Sequence, residues 1–209
     1  MRSYIHLIRH GITEGNKLRW MYGRADIPLI KEGMDELLEQ AAKGIYPSPE
    51  GAHIYTSGLL RCEQTLKCIY GDLPHDTFPA FLEIDCGDWE CISFKYLEAS
   101  DERYKAWLHS TDSDDIPMPN GESLNGFRKR IHYGFEAFKN LHFIDVLKLR
   151  NHEQEAHSIA IIHGAVITAI LYELFGDEEE NTFWTWMVKP GRGVTLILED
   201  GAVVGYERI

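Results

Sequence analysis

Residues 5–16, with the sequence IHLIRHGITEGN, decide how the chain is interpreted. The apolar run at residues 4–8 predicts a buried strand, and Arg9, His10 and Gly11 follow it where a loop begins. In open α/β sheets the carboxyl ends of the strands face the binding crevice. The segment therefore predicts a cation and an imidazole at the ligand-binding edge of a sheet.

The composition indicates a single globular domain covering residues 1–209. Hydrophobic residues make up 44% of the chain and charged residues 26%, which excludes a disordered chain and allows a core without disulfides or metal ions. No run approaches the roughly 20 apolar residues of a membrane helix. The N-terminus also lacks the apolar region and cleavage site of a secretory signal. We therefore expect a cytoplasmic protein with no membrane partner.

The charge and the cysteines narrow the partners further. The net charge is -12 and no extended Lys/Arg cluster is present, so nucleic acid is not an expected partner. An anionic small molecule remains compatible, since a few converging Arg and His side chains make a local positive site. No C-x-x-C pair is present, which argues against a zinc ribbon or a thioredoxin-type motif. We expect reduced, structural thiols at Cys62, Cys68, Cys86 and Cys91.

The first half of the chain reads as alternating strands and helices. After a loop or short helical turn at residues 13–23, helical spacing begins at residue 34 and ends near residue 44. Residues 52–56 predict a second strand, and residues 59–70 predict a helix with Arg61 in its first turn. Arg61 would lie close to His10 if these first two strands were neighbours in a parallel sheet.

The second half predicts an insert and then the end of the sheet. Residues 78–84 read as an extended piece, and residues 86–120, which include the acids Asp112, Asp114 and Asp115, read as an irregular, cap-like insert. A long helix is expected over residues 122–149, a strongly buried strand at 158–162 and a helix at 165–175. Strands follow at 185–188 and 194–198, and Asp200-Gly201 predicts a hairpin. The predicted fold is a three-layer α/β sandwich with a mainly parallel sheet and an antiparallel C-terminal edge.

Two strand ends share one pattern, I-R-H-G at residues 8–11 and I-H-G at residues 162–164. Each sets an imidazole, His10 or His163, at the start of a segment whose free N–H groups and helix dipole favour an anion. The same positive field disfavours the imidazolium form, so one imidazole is expected to stay neutral and nucleophilic near pH 7. A neutral imidazole can attack phosphorus and hold it covalently.

Several motifs in a fixed order resemble the histidine phosphatase superfamily, also called phosphoglycerate mutase-like. These are R-H-G-x-T-x-x-N at residues 9–16, S-x-L-x-R-x-x-Q-T at 57–65, Glu83, G-D-W-E at 87–90, G-E-S at 121–123 and H-G at 163–164. They extend over most of the chain, which makes the resemblance far more specific than any single tetrapeptide.

The resemblance implies a role for each of five residues. His10 resembles the nucleophile that becomes phosphohistidine, Arg9 and Arg61 resemble phosphate clamps, and Glu83 resembles the proton donor to the leaving alcohol and the later base for water. His163 resembles a second phosphate-binding imidazole, expected as an imidazolium. Two guanidiniums and one imidazolium would do without a metal what magnesium does in other phosphoryl-transfer enzymes, so neither a metal nor a cofactor is expected.

Further residues are weaker candidates for the same site. Asn16 is expected to support the phosphate by hydrogen bonding. The expected substrate pocket consists of Trp20, Tyr22, Gly23, Glu122 and Ser123.

The expected function is hydrolysis of a small phosphomonoester. The alternatives are a cofactor-dependent phosphoglycerate mutase and an inactive, phosphate-binding regulatory domain. Mutases of this family carry an arginine-rich segment after the acid residue, whereas residues 86–120 offer only Lys95, Arg103 and Lys105 amid many acids. That difference favours a phosphatase. The sequence leaves the physiological ester and the oligomeric state open, a homodimer included.

Overall fold

The centre of the protein is a six-stranded sheet. The computed structural model describes residues 1–110, 115–149, 154–176 and 183–209. The strands are β1 Arg2–Arg9, β2 Trp20–Met21, β3 His53–Thr56, β4 Asp76–Thr77, β5 Ile92–Ser93, β6 Ala156–Ile162, β7 Gly193–Glu199 and β8 Ala202–Arg208.

Seven helices in the described residues connect these strands. They are α1 Glu14–Leu18, α2 Lys31–Ala42, α3 Leu60–Tyr70, α4 Phe94–Ser100, α5 Glu102–Leu108, α6 Leu124–Leu149 and α7 Gly164–Phe175. Three short 3-10 turns lie at Pro79–Phe81, Gly87–Trp89 and Phe183–Trp186.

The strand order of the large sheet is β4-β3-β6-β1-β7-β8. Strands β4, β3, β6 and β1 pair in parallel, and β7 and β8 form an antiparallel hairpin beside β1. The predicted α/β fold with an antiparallel edge is therefore confirmed. The strands at residues 2–9 and 53–56 are not neighbours, however, because β6 lies between them. The premise by which the sequence placed Arg61 near His10 is wrong in this respect.

Strands β1 and β6 are buried on both faces, as is typical of the parallel strands of a sheet covered by helices on each side. On one face, Ile5 and Leu7 join a core that includes residues of α6 and α7. On the other face, Ile8 joins Cys62 and Leu66 of α3. The continuous apolar runs of these strands follow from this double burial, which leaves the polar residues to the strand ends.

Two predicted extended segments are turns in the structure. Residues 78–84 contain the 3-10 turn Pro79–Phe81 instead, because proline fixes φ and lacks an N–H for a strand ladder. Residues 185–188 overlap the 3-10 turn Phe183–Trp186, whose Trp186 ring packs against the rings of Phe175 and Tyr206. The apolar signal there comes from burial and not from strand pairing.

The segment at residues 86–120 is more regular than its sequence indicated. It contains β5 and two helices, α4 and α5. Each of the two helices has only seven residues. Helices this short give a weak periodic signal. Trp89, Leu97 and Tyr104 are buried in the main core, while Asp112 and Asp114 of the expected acidic stretch lie outside the described residues. The role of this segment as a cap stays a prediction.

Within the described ranges, no helix combines the length and the apolar character needed to cross a membrane.

A cluster of histidines, His6 of β1, His157 of β6 and His142 of α6, lies away from the strand ends that carry the phosphate motifs. The imidazole of His6 is 4% exposed and lies 3.0 Å from Nδ1 of His157 and 2.8 Å from Oγ1 of Thr195. Burial, together with the nearby His157 and His142, lowers the pKa of His6 to about 3. Burial likewise lowers the pKa of His142 to about 4. These imidazoles are neutral in the folded protein at pH 7.

This cluster predicts a loss of stability in acid. As the pH falls below about 6.5, His6 becomes protonated in the unfolded chain but stays neutral in the folded protein. The free energy of unfolding therefore decreases with falling pH until the pH reaches about 3, where the folded form is protonated as well. The expected share of His6 is roughly 5 kcal/mol over the whole interval and roughly 3 kcal/mol between pH 7 and pH 4. Urea unfolding at pH 7 and pH 4 is expected to show a shallower pH dependence for His6→Gln than for the wild type. The exposed His109→Gln is the control, and equal slopes for the wild type and His6→Gln would contradict the prediction.

Candidate active site

Two histidines meet at the carboxyl end of the sheet because β1 and β6 are in parallel register. Arg9 is paired with Ile162, so the residues that follow, His10 and His163, lie side by side. The backbone N–H of His10 donates to the carbonyl of Ile162 at 2.9 Å, and the two ring centroids are 5.4 Å apart. The register of one strand pair thus brings the two matching sequence motifs to a single place.

His10 presents a defined tautomer. Its Nδ1 lies 2.7 Å from the carbonyl oxygen of Gly11, and a carbonyl can only accept, so Nδ1 carries the proton and Nε2 carries the lone pair. Burial and the charges of Arg61 and Arg9 hold the pKa of His10 well below its usual value. His10 is therefore a neutral imidazole at pH 7, with a nucleophilic Nε2.

Arg61 is fully buried and is held by uncharged acceptors. Its Nη1 donates to the carbonyl of Ala25 at 2.8 Å and its Nη2 to the carbonyl of Gly23 at 2.6 Å. Its Nε donates to Nδ1 of His163 at 3.3 Å, and its Cζ lies 5.2 Å from the ring centroid of Tyr22. No carboxylate among the described residues forms an ion pair with this guanidinium, so its charge remains available to an anion.

Arg9 approaches the same place from the end of β1. Its Nη1 donates to the carbonyl of Val188 at 2.7 Å, and its Nε is buried without a hydrogen-bond partner. A Cβ at Gly164 would lie only 2.9 Å from Cζ of Arg9, so this glycine allows the guanidinium to pack against the start of α7. Arg9 thus offers an N–H donor of the kind that a phosphate oxygen satisfies.

His163 is the second imidazole and is fully buried. Because its Nδ1 accepts from Nε of Arg61, its Nε2 carries the proton and donates to Oγ of Ser57 at 2.8 Å. Burial, followed by the charges of Arg61 and His10, holds the pKa of His163 well below its usual value. The imidazolium expected from the sequence stays a prediction for the phosphate-bound site, where the dianion would offset the field of the two guanidiniums.

Glu83 lies after the turn Pro79–Phe81 and is 8% exposed. Its Oε1 accepts from the backbone N–H of Ile84 at 3.0 Å and its Oε2 from that of Ala165, at the N-terminus of α7, at 3.1 Å. Burial raises the pKa of Glu83 even though these hydrogen bonds and the two arginines favour the carboxylate. A protonated fraction thus persists at a higher pH than for an exposed glutamate, as a proton donor requires.

Of the expected pocket residues, the structure places Tyr22 and Gly23 beside the phosphate-binding groups. The ring centroid of Tyr22 is 6.5 Å from that of His10. A Cβ at Gly23 would lie 1.6 Å from the carbonyl oxygen of Ile84, so only glycine fits there. Trp20 pairs with Ser93 in the small β2-β5 sheet.

Asn16, Glu122 and Ser123 have backbone-supporting contacts in this structure. Asn16 and Thr13 form a capping box at the start of α1. Ser123 accepts from the N–H of Gly126 at 3.0 Å at the start of α6. Glu122 accepts from the N–H of Asp85 at 2.9 Å. Phosphate binding by Asn16, and pocket roles for Glu122 and Ser123, stay predictions.

Arg130 is a residue that the sequence reasoning missed. Its guanidinium donates to the carbonyls of Ala80 and Leu82 at 2.9 Å each, to that of Glu83 at 3.2 Å and to the carboxylate of Glu122 at 2.7 and 2.8 Å. These bonds fasten the segment that carries Glu83 to α6. Only the neighbouring G-E-S motif pointed to this helix, and nothing in the local pattern distinguishes Arg130 from a surface arginine.

Glu90 is a second missed residue, although it lies in the G-D-W-E motif. Its carboxylate accepts backbone N–H bonds from Gly23, Arg24 and Ala25 at 2.8 to 3.1 Å, and another from Cys86 at 3.2 Å. The carbonyls of Gly23 and Ala25 are the ones that hold Arg61. Glu90 therefore positions Arg61 through the loop between them.

Comparisons with known proteins agree with this geometry. The sequence profile of the histidine phosphatase superfamily (branch 1) matches residues 5–204. An adenosylcobalamin/alpha-ribazole phosphatase of Escherichia coli strain K12 is 26% identical over 191 residues, which cover 88% of this chain and 85% of that one. A probable phosphoglycerate mutase of Cronobacter sakazakii is 28% identical over 143 residues, covering 66% and 63% of the two chains.

Solved structures give the same result for the fold. The crystal structure of a putative alpha-ribazole-5'-P phosphatase from Escherichia coli superposes with a TM-score of 0.74 at 23% identity, covering 99% of this chain and 94% of that one. The alpha-ribazole phosphatase from Shigella flexneri superposes with a TM-score of 0.69 at 25% identity, covering 96% and 92%.

The contacts of Glu90 predict that it controls anion binding without touching the anion. In Glu90→Gln an amide N–H would face backbone N–H groups, which loosens the loop that holds Arg61. We expect the affinity for vanadate, measured by calorimetry, to fall about tenfold or more. The exposed Glu98→Gln, in the same insert, is the matched control. Unchanged vanadate affinity in a folded Glu90→Gln protein would contradict the prediction.

Proposed function

Because the chain belongs to the histidine phosphatase superfamily (branch 1), we propose that it is a metal-independent phosphomonoesterase that hydrolyses a small phosphorylated metabolite through a phosphohistidine at His10. The observation that carries the proposal is the tautomer of His10. Its Nδ1–H is held by the carbonyl of Gly11, which leaves the Nε2 lone pair beside two guanidiniums. A neutral nucleophile in a positive, buried site suits attack on a phosphate dianion.

The reaction has two steps. The lone pair of His10 Nε2 attacks phosphorus while the bond to the ester oxygen breaks, and Glu83 donates its proton to the departing alkoxide. Arg9, Arg61 and the second imidazole, His163, stabilise the charge on the phosphoryl oxygens. In the second step the carboxylate of Glu83 takes a proton from water, which attacks phosphorus and releases phosphate from His10.

Two observations favour a phosphatase over a mutase. The adenosylcobalamin/alpha-ribazole phosphatase of Escherichia coli matches 88% of this chain, whereas the probable phosphoglycerate mutases of Cronobacter sakazakii and Salmonella paratyphi C match 66% and 82% of it. Two of the three insert cations also form ion pairs with their own neighbours, since Arg103 pairs with Asp101 at 2.9 Å and Lys105 with Glu102 at 2.6 Å. These two side chains are therefore poorly placed to hold a substrate carboxylate in the way that the arginine-rich segment of a mutase would.

Trapping the intermediate tests the proposal directly. Rapid quenching with a 32P-labelled phosphomonoester is expected to label the protein, with a label that alkali retains and acid releases, as for phosphohistidine. His10→Ala is expected to abolish both the label and the hydrolysis of p-nitrophenyl phosphate, and EDTA is expected to leave hydrolysis unchanged. Phosphatase activity that persists in His10→Ala would contradict the proposal. Isomerisation of phosphoglycerate above the hydrolysis rate, with a bisphosphoglycerate primer, would replace it by a mutase.

The raised pKa of Glu83 fits a carboxyl group that protonates the leaving alcohol. Removing this carboxyl is therefore expected to slow the first step most for substrates with poor leaving groups. With alkyl phosphates, whose leaving groups need a proton, Glu83→Gln is expected to lower kcat by roughly 10²- to 10⁴-fold. With p-nitrophenyl phosphate the first step needs less help, so the phosphoenzyme is expected to accumulate as a burst. In the wild type, kcat/KM for alkyl phosphates is expected to fall as the pH rises through the raised pKa. Stopped-flow and pH-rate measurements check this, with the exposed Glu32→Gln as the control; equal losses of kcat/KM on the two substrates, or the lack of a burst with p-nitrophenyl phosphate, would contradict it.

A further inference from the structure

Arg24 is fixed beside the phosphate-binding arginine by its own backbone. It stands between Gly23 and Ala25, whose carbonyls both accept from the guanidinium of Arg61. Its N–H donates to Oε1 of Glu90 at 2.8 Å. These hydrogen bonds hold the backbone of Arg24 in place, and the side chain of Arg24 begins at the edge of the phosphate site.

Among the described residues, the side chain of Arg24 forms one long ion pair and no close one. Its Nε is buried without a hydrogen bond. The nearest carboxylate is that of Glu122, 4.0 Å from Nη2 of Arg24. That carboxylate is already engaged by two N–H groups of Arg130, at 2.7 and 2.8 Å, and by the N–H of Asp85 at 2.9 Å. Glu122 thus has a full set of closer partners.

Arg24 adds a third guanidinium to the two that face the phosphoryl group. Arg9 and Arg61 supply the positive charge for a phosphate dianion, and Arg130 forms the close ion pair with the carboxylate of Glu122. The field of Arg24 reaches the reacting groups, since its charge contributes to the lowered pKa of His163. Its side chain is one third exposed, at 33%, so a ligand can reach it.

We propose that Arg24 binds a second anionic group, a carboxylate or a second phosphate, on the leaving alcohol of the substrate. This inference rests on the proposed function and narrows it to phosphomonoesters that carry two anionic groups. The first is the phosphoryl group bound by Arg9 and Arg61. The second lies on the alcohol side, where the Arg24 guanidinium supplies charge-assisted hydrogen bonds.

Binding of non-hydrolysable phosphonates tests the inference independently of turnover. Propylphosphonate has one anionic group, while 3-phosphonopropionate adds a carboxylate and ethylene-1,2-bisphosphonate adds a second phosphonate. Calorimetry on the wild type is expected to give affinities at least about tenfold higher for one or both two-anion probes, and the stronger of the two identifies the second group. In Arg24→Gln this ratio is expected to fall to about one. Arg19→Gln, which removes an exposed arginine from the end of α1, is expected to keep it.

The outcomes separate this inference from the proposed function. Equal affinities for the three probes in the wild type, no binding of any of them, or an unchanged ratio in Arg24→Gln would overturn the role of Arg24. Hydrolysis of glycerol 3-phosphate as fast as that of 3-phosphoglycerate, compared by kcat/KM, would also overturn it while the phosphatase stands. An Arg24-dependent ratio in a protein that hydrolyses no phosphomonoester would support the anion site and reject the phosphatase.

Discussion

A buried guanidinium that has no carboxylate partner among the described residues is the constraint on which the rest of this structure depends. An uncompensated buried charge is costly, on the order of 3–5 kcal/mol, and Arg61 is fully buried. The protein offsets this cost with peptide dipoles. The carbonyl of Gly23 and the N–H of Arg24 belong to one peptide group, which accepts from Arg61 on one side and donates to Glu90 on the other. The negative charge therefore stabilises the positive one through a polarised peptide bond and leaves the guanidinium free for a phosphate.

The same arrangement explains the shifted pKa values of three ionisable groups near the arginines, His10, His163 and Glu83. The two guanidiniums make protonation of His10 and His163 unfavourable, and burial acts in the same direction. Burial also raises the pKa of Glu83, so that its proton is retained where an exposed glutamate would have lost it. The permanent positive charge of the site is therefore confined to the arginines, while the two imidazoles are held neutral and the carboxyl keeps its proton to a higher pH.

Sequence reasoning placed the residues at the strand ends correctly and missed the contacts that cross the fold. Residues 5–16 and 158–164 gave the position of His10 and His163, because buried strands and glycine breaks leave a local signal. The same reasoning put Arg61 at the right end of the sheet but with the wrong neighbour, since strand order depends on pairing between residues far apart in sequence. Arg130 and Glu90 act on backbone groups some forty to seventy residues away, and no pattern within their own segments encodes such a contact. The expected strand at residues 185–188 failed because apolar burial and strand pairing give the same local signal.

The position of β6 between β1 and β3 has a consequence for synthesis of the protein on the ribosome. Strand β1 and strand β3 are made early, but both pair with residues 156–162, which are made after about three quarters of the chain. Until then β1 and β3 each lack a neighbour, and unpaired strand edges promote association between chains. A chain that stops before β6 would leave the edges of β1 and β3 exposed, and we expect it to be prone to aggregation.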